Sequence, residues 1–197
     1  MIAALARGAL FALAAIGVVG CVATKYGTVP YDTPKPADAE VAKLPGCRDH
    51  QPKPNESCLT LVRAGDWQTR TDVEVDGHQS WCIDVPEGQR WFDESRISSP
   101  LDGEPGEGIM NAFKGWKRIP NAPWFALAVG VVTRAGEEVD NDAVRNLPVA
   151  CNGRKFQPNH PGMLVFYPND AVLPLGSKSH FYGNNGGQIW VKLTRLR

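Results

Sequence analysis

The stretch HFYGNNGGQIWV, residues 180–191, sets two asparagines side by side inside a glycine-rich turn. Asn-Gly and Gly-Gly are hairpin formers, and asparagine accepts left-handed backbone angles, so these residues need do no more than bend the chain. The other reading is a site, because the same turn offers two side-chain amide oxygens at one point. Elsewhere the chemistry is sparse. His50, His78, His160 and His180 show no H-x-x-x-H spacing, and there is no G-x-S-x-G or nucleophilic-cysteine context. The carboxylate pairs Asp93/Glu94 and Glu137/Glu138 are adjacent in sequence. On a strand, neighbours point to opposite faces, which suits a solvated edge better than an acid/base pair. Nothing here argues for catalysis, and the expectation is a protein that is not an enzyme.

The five cysteines point to an exported protein. Residues 1–20 hold one charged side chain, Arg7, and an apolar run from Gly8 to Gly20. That run is shorter than the ~20 residues a spanning helix needs and matches a signal-peptide core. Val18-Val19-Gly20-Cys21 resembles a bacterial lipobox, in which the cysteine becomes the new N-terminus and carries acyl chains such as palmitate. The resemblance implies a lipid anchor on Cys21, with the bilayer as a partner. Val22 after the cysteine implies the outer membrane of a Gram-negative envelope. Cys47, Cys58, Cys82 and Cys151 remain, an even number in an oxidising compartment. Four cysteines allow three pairings. The expected one is a local clip, Cys47–Cys58, with Cys82–Cys151 joining distant segments. A zinc site is disfavoured by the lack of a C-x-x-C pair or a close Cys/His cluster.

Removal of residues 1–20 takes away one arginine and no acid, so 21 basic and 21 acidic residues become 20 and 21, a net charge of −1. Such a balance gives no reason to expect nucleic acid as a partner. Residues 21–57 carry prolines at 30, 34, 36, 45, 52 and 54 and read as an extended tether, with one short helical turn fitting Ala37–Lys43. Over 58–197 the texture changes to short apolar runs between turn residues. LTLVR, SWCIDV, QRWFDE, WFALAVGVVT, GMLVFY and GQIWVKLTRL all read as strands. Only GIMNAFKGW, residues 108–116, leaves room for a turn or two of helix. Many short strands without crossover helices predict an all-β fold, an antiparallel β-sandwich of jelly-roll type. In the last strand Ile189, Val191 and Leu193 alternate with Trp190, Lys192 and Thr194, so one face is apolar.

GMLVFYPND (162–170) followed by YGNNGGQIWVKL (182–193) resembles the last two strands of the calcium-dependent galactophilic lectins of bacteria. WCIDVPEGQRWFDE, PGEGIMNAF and APWFALAVGVV resemble earlier parts of that domain more loosely, so the similarity spans about 65–197. Carried over by position, it implies calcium as cofactor, with Asp170, Asn184 and Asn185 as side-chain ligands. The Phe181 carbonyl and a carbonyl after Trp91 would be main-chain ligands. Calcium takes about 6–8 oxygens from carboxylates, amides, backbone and water, so the donor set is chemically coherent. Gly183 and Gly186 are expected to supply the unusual backbone angles. In the family, sugar hydroxyls complete the ion's shell, which implies that Asp170 and Asn184 also touch the glycan.

This chain departs from the family in two places. Thirteen residues, AVLPLGSKSHFYG, separate Asp170 from Asn184, a longer loop than the family's. Where the family holds galactose with a histidine and a glutamine, this chain places Glu104 and Glu107. Carboxylates can hold sugar hydroxyls, but galactose specificity does not carry over. His180 is a candidate substitute contact. The expectation is a lectin-like lipoprotein that binds a glycan, facing the periplasm or the cell surface. The alternative is an interaction module with a degenerate sugar site, whose partner is another envelope protein, as in a secretion-system component or an immunity lipoprotein.

Overall fold

A computed structural model of the protein describes residues 36–93, 96–172 and 181–196. The signal sequence, Cys21, the first part of the tether, Glu94 and His180 lie outside the described residues. In chain order the strands are β1 (Ser57–Arg63), β2 (Thr69–Asp76), β3 (Trp81–Asp84), β4 (Trp91–Asp93), β5 (Arg96–Ser98) and β6 (Leu127–Val132). They continue with β7 (Glu138–Ala143), β8 (Val149–Ala150), β9 (Gly153–Phe156), β10 (Pro161–Pro168), β11 (Asn185–Gly186) and β12 (Gln188–Arg195). Among the described residues there are two four-residue helices, α1 (Ala39–Ala42) before β1 and α2 (Ile109–Ala112) between β5 and β6.

Two sheets form the sandwich, in the orders β1-β12-β3-β9-β8 and β2-β10-β6-β7, and a small third sheet runs β11-β4-β5. All pairings among these strands are antiparallel. The chain is an all-β sandwich, as its strand texture predicts. The alternation of β12 is realised: Ile189, Val191 and Leu193 are fully buried, while Trp190, Lys192 and Thr194 face outward and remain partly exposed. Each such side chain contributes about 1.5–3 kcal/mol by leaving water. Opposite them, Val73, Val129, Val131, Leu164 and Phe166 close the same core.

Strand β2 was not foreseen from composition, because its inward residues begin with Thr69 and Thr71 before Val73 and Val75. Thr71 is fully buried and donates its hydroxyl to the Leu164 carbonyl at 2.8 Å, which removes the cost of burying it. Strand β6 is buried along its whole length. Its inner face meets the core, and its outer face, with Val165 and Tyr167, lies under Ile119. The loop that carries Ile119 thus forms a cover over the outer face of the second sheet.

Both expected disulfides form, Cys47–Cys58 and Cys82–Cys151. The second joins β3 to the turn between β8 and β9. The segment before β1, read as tether, is fastened to the sandwich from Pro45 onward. Leu59 donates to the Pro45 carbonyl at 2.9 Å, and the Asn55 amide donates to Arg195. The Gln51 amide makes both of its hydrogen bonds to the backbone of Glu74, at 2.7 and 2.9 Å. Helix α1 forms within Ala37–Lys43, capped by the Asp38 carboxylate, which accepts from the Glu40 amide at 2.8 Å.

Candidate cation site

Strand β10 ends in Pro168, and the next two residues go opposite ways, as strand alternation requires. Asn169, fully buried, turns toward the covering loop. Its amide nitrogen donates to the carbonyls of Ile119, Ala122 and Pro123, and its oxygen accepts from the Ile119 backbone at 2.8 Å. Asp170 turns the other way and meets Asn185. The first residue locks the loop, and that lock fixes where the second points.

The asparagines are placed by a one-turn 3-10 segment, Phe181–Asn184, that runs straight into β11. Strand β11 pairs with β4, with Asn185 opposite Asp93 and Gly186 opposite Phe92. The left-handed residue is Gly187, with φ +84°, rather than Gly183 or Gly186 as the sequence led us to expect. The reason is positional: Gly186 sits in a ladder and needs extended backbone, so the reversal into β12 falls on the next residue. A Cβ on Gly187 would also lie 3.2 Å from the Phe92 ring and the Trp91 Cα. Gly187→Ala is therefore expected to destabilise the protein by about 1–2 kcal/mol, measurable by urea denaturation.

The side chains converge in two pairs. Asn185 donates its amide nitrogen to Asp170 Oδ2 at 2.8 Å, and Asn184 donates to Asp93 Oδ1 at 3.0 Å. Asp170 Oδ1 also accepts from the Ala171 amide at 2.6 Å. Both asparagine oxygens, Asn184 Oδ1 and Asn185 Oδ1, are buried and have no hydrogen-bond partner among the described residues. Each such acceptor costs about 1–3 kcal/mol if left unmade. Burial pushes the Asp170 carboxyl up to about 7, against the lowering effect of its bonds from Asn185 and Ala171; the charge of Asp93 adds to the rise.

Two carboxylates and two unpartnered amide oxygens make an all-oxygen donor set, which suits a hard cation rather than zinc or copper. Among the described residues no group of three or more His, Cys, Asp or Glu could hold a metal, so such a site must draw on amide oxygens. The arrangement fits calcium chemistry. An ion there would satisfy both orphaned acceptors and offset the cost of ionising Asp170. Comparison of the chain with family models, with curated proteins and with solved structures finds no match in any of the three.

The residues singled out in the sequence are partly assembled. Asp170, Asn184 and Asn185 come together, and Phe181 opens the turn beside them. The Phe181 ring packs at a tilt against Phe113, 5.4 Å between centroids, which brings the segment after Glu107 against that turn. Glu104 is tied by its backbone to Trp124, and no hydrogen bond among the described residues joins Glu104 or Glu107 to Asp170, Asn184 or Asn185. Asp93 is the member that sequence reasoning passed over. Read with Glu94 as a solvated edge pair, it is half-buried at the site instead. Its signal was the strand QRWFDE, whose Phe92 and Asp93 fall opposite Gly186 and Asn185 only once β4 and β11 are paired.

Proposed function

We propose that the protein is a lipid-anchored envelope lipoprotein that binds carbohydrate, without catalysis, through a calcium ion held by Asp170, Asn184 and Asn185. The main-chain carbonyl of Phe181 would complete the protein's share of the shell. One observation carries this reading: two buried amide oxygens without partners sit on the turn that resembles the galactophilic lectins, and one of those asparagines is bonded to the buried Asp170 carboxylate just after β10. The ion would bridge protein and sugar, with Asp170 and Asn184 in reach of the hydroxyls. Glu104 and Glu107 are the carboxylates that the lectin resemblance would offer to the glycan. The anchor on Cys21 and the outer-membrane location belong to the same reading and rest on the lipobox.

A second reading, an envelope interaction module, is favoured by the internal pairing of Asp170 with Asn185, which lets the turn close without an ion. Calorimetric titration of calcium into chelator-treated, detergent-solubilised full chain separates the two. Saturable binding, followed by calcium-dependent signal on a glycan array, supports the lectin reading. Absence of heat, with no calcium-dependent rise in melting temperature, leaves a structural turn and an interaction module.

A further inference from the structure

We propose that Asp93 is a second carboxylate of the cation site, so that an ion is held between two Asp–Asn pairs, Asp93 with Asn184 and Asp170 with Asn185. The proposal rests on the calcium reading above and changes its charge. Strand register puts Asp93 directly across from Asn185, and its carboxylate accepts from the neighbouring Asn184 at 3.0 Å. The arrangement repeats itself: in each pair the asparagine nitrogen is spent on a carboxylate, while the oxygen on the same carbon stays buried and unpartnered. Asn185 is 3 % exposed, so its orphaned oxygen has no route to bulk water. Both of Asp170's hydrogen-bond donors are neutral amides. Two carboxylates gathered around two orphaned amide oxygens make a donor set suited to a divalent cation.

The consequence is affinity. Calcium sites are tuned by the number of charged ligands and by rigidity. The sequence alone leads to a site with one carboxylate, of the weak kind common in extracellular modules, with dissociation constants of about 10⁻⁴–10⁻³ M. A second carboxylate on a paired strand moves the site to tighter binding.

The test compares calcium affinity, and melting temperature in chelator, for the full chain, Asp93→Asn and Asp170→Asn. We expect Asp93→Asn to weaken calcium binding about tenfold or more. In chelator the same variant should melt as the parent does, because it keeps an acceptor for Asn184. If Asp93→Asn binds as the parent does while Asp170→Asn does not bind, the second carboxylate is refuted and the calcium reading stands. If the variant melts lower in chelator and also loses affinity, Asp93 is a structural acceptor and the proposal fails. If the parent itself binds no calcium, both fall together.

Discussion

Asp170→Asn is expected to abolish calcium binding and, in chelator, to raise the melting temperature by an amount that grows with pH. The sign follows from the direction of the shift. Burial raises the carboxyl from 3.8 to about 7, so the fold prefers the neutral acid. Below about pH 4 the group is neutral in both folded and unfolded chains and costs nothing. Between about pH 4 and 7 the unfolded chain loses its proton while the folded one resists, and stability falls. Above about pH 7 the penalty levels off, near 4 kcal/mol for a gap of that size. The amide variant carries no such penalty: its oxygen can keep the Ala171 amide, and its nitrogen can donate to the Asn185 oxygen once that amide turns over. Asp76 and Asp140, held below the usual carboxylate range by their hydrogen bonds in spite of burial, tilt stability the other way. They do so equally in both proteins and cancel in the difference. The curves should therefore meet near pH 4 and separate by roughly 10 °C by pH 8. Parallel curves would mean that Asp170 is not buried as an acid, and saturating calcium should close the gap.

Arg118→Ala is expected to be the most destabilising single change outside the hydrophobic core, at about 3–5 kcal/mol in urea denaturation. The guanidinium lies between two aromatic rings, 3.8 Å from the centroid of Trp67 and 3.4 Å from that of Tyr167. Its side chain is 6 % exposed, and it forms a two-point ion pair with Glu138 while donating to the Trp67 carbonyl at 2.5 Å. Removal leaves a largely buried carboxylate and a carbonyl without their donor. Lysine should not rescue it, since an ammonium can neither stack flat between rings nor match the carboxylate at two points. Adding Glu138→Gln to Arg118→Ala should recover part of the loss, because the stranded charge is gone; an additive result would argue that packing alone is at stake. The Arg118 amide also donates to the Asp170 carbonyl at 3.0 Å, and Tyr182 packs edge-on against Trp67 at 5.3 Å. Weaker calcium binding should accompany the loss of stability.

What the sequence discloses here follows the strength of its periodicity. Strand β12 is legible because every inward residue is aliphatic, and the Asn-Asn-Gly turn because its residue types are unusual together. Strand β2 hides because threonine serves as an inward residue once its hydroxyl finds a carbonyl. Strand β7 hides because EVDNDA is an edge strand whose Asp140 adopts φ +54° and bonds to Asn159 and His160 in the loop before β10. Asp93 could not be paired with the turn because it lies 91 positions before Asn184. Only the short β4–β11 ladder brings them together.

The Cys47–Cys58 bond also decides how the molecule would bear mechanical load. Tension entering along the N-terminal segment meets β1 at Pro45, and at Cys47 the crosslink passes it straight to Cys58, so residues 48–57 carry none of it. From Cys58 the load spreads into β1, which is laddered to β12 through seven residue pairs from Ser57 to Arg63. The turn with Asn184 and Asn185 leads into the far end of that same β12. A molecule held at one end by its leash and at the other by whatever the turn grips would be strung along a single pair of strands, with the crosslink protecting the end where peeling would start.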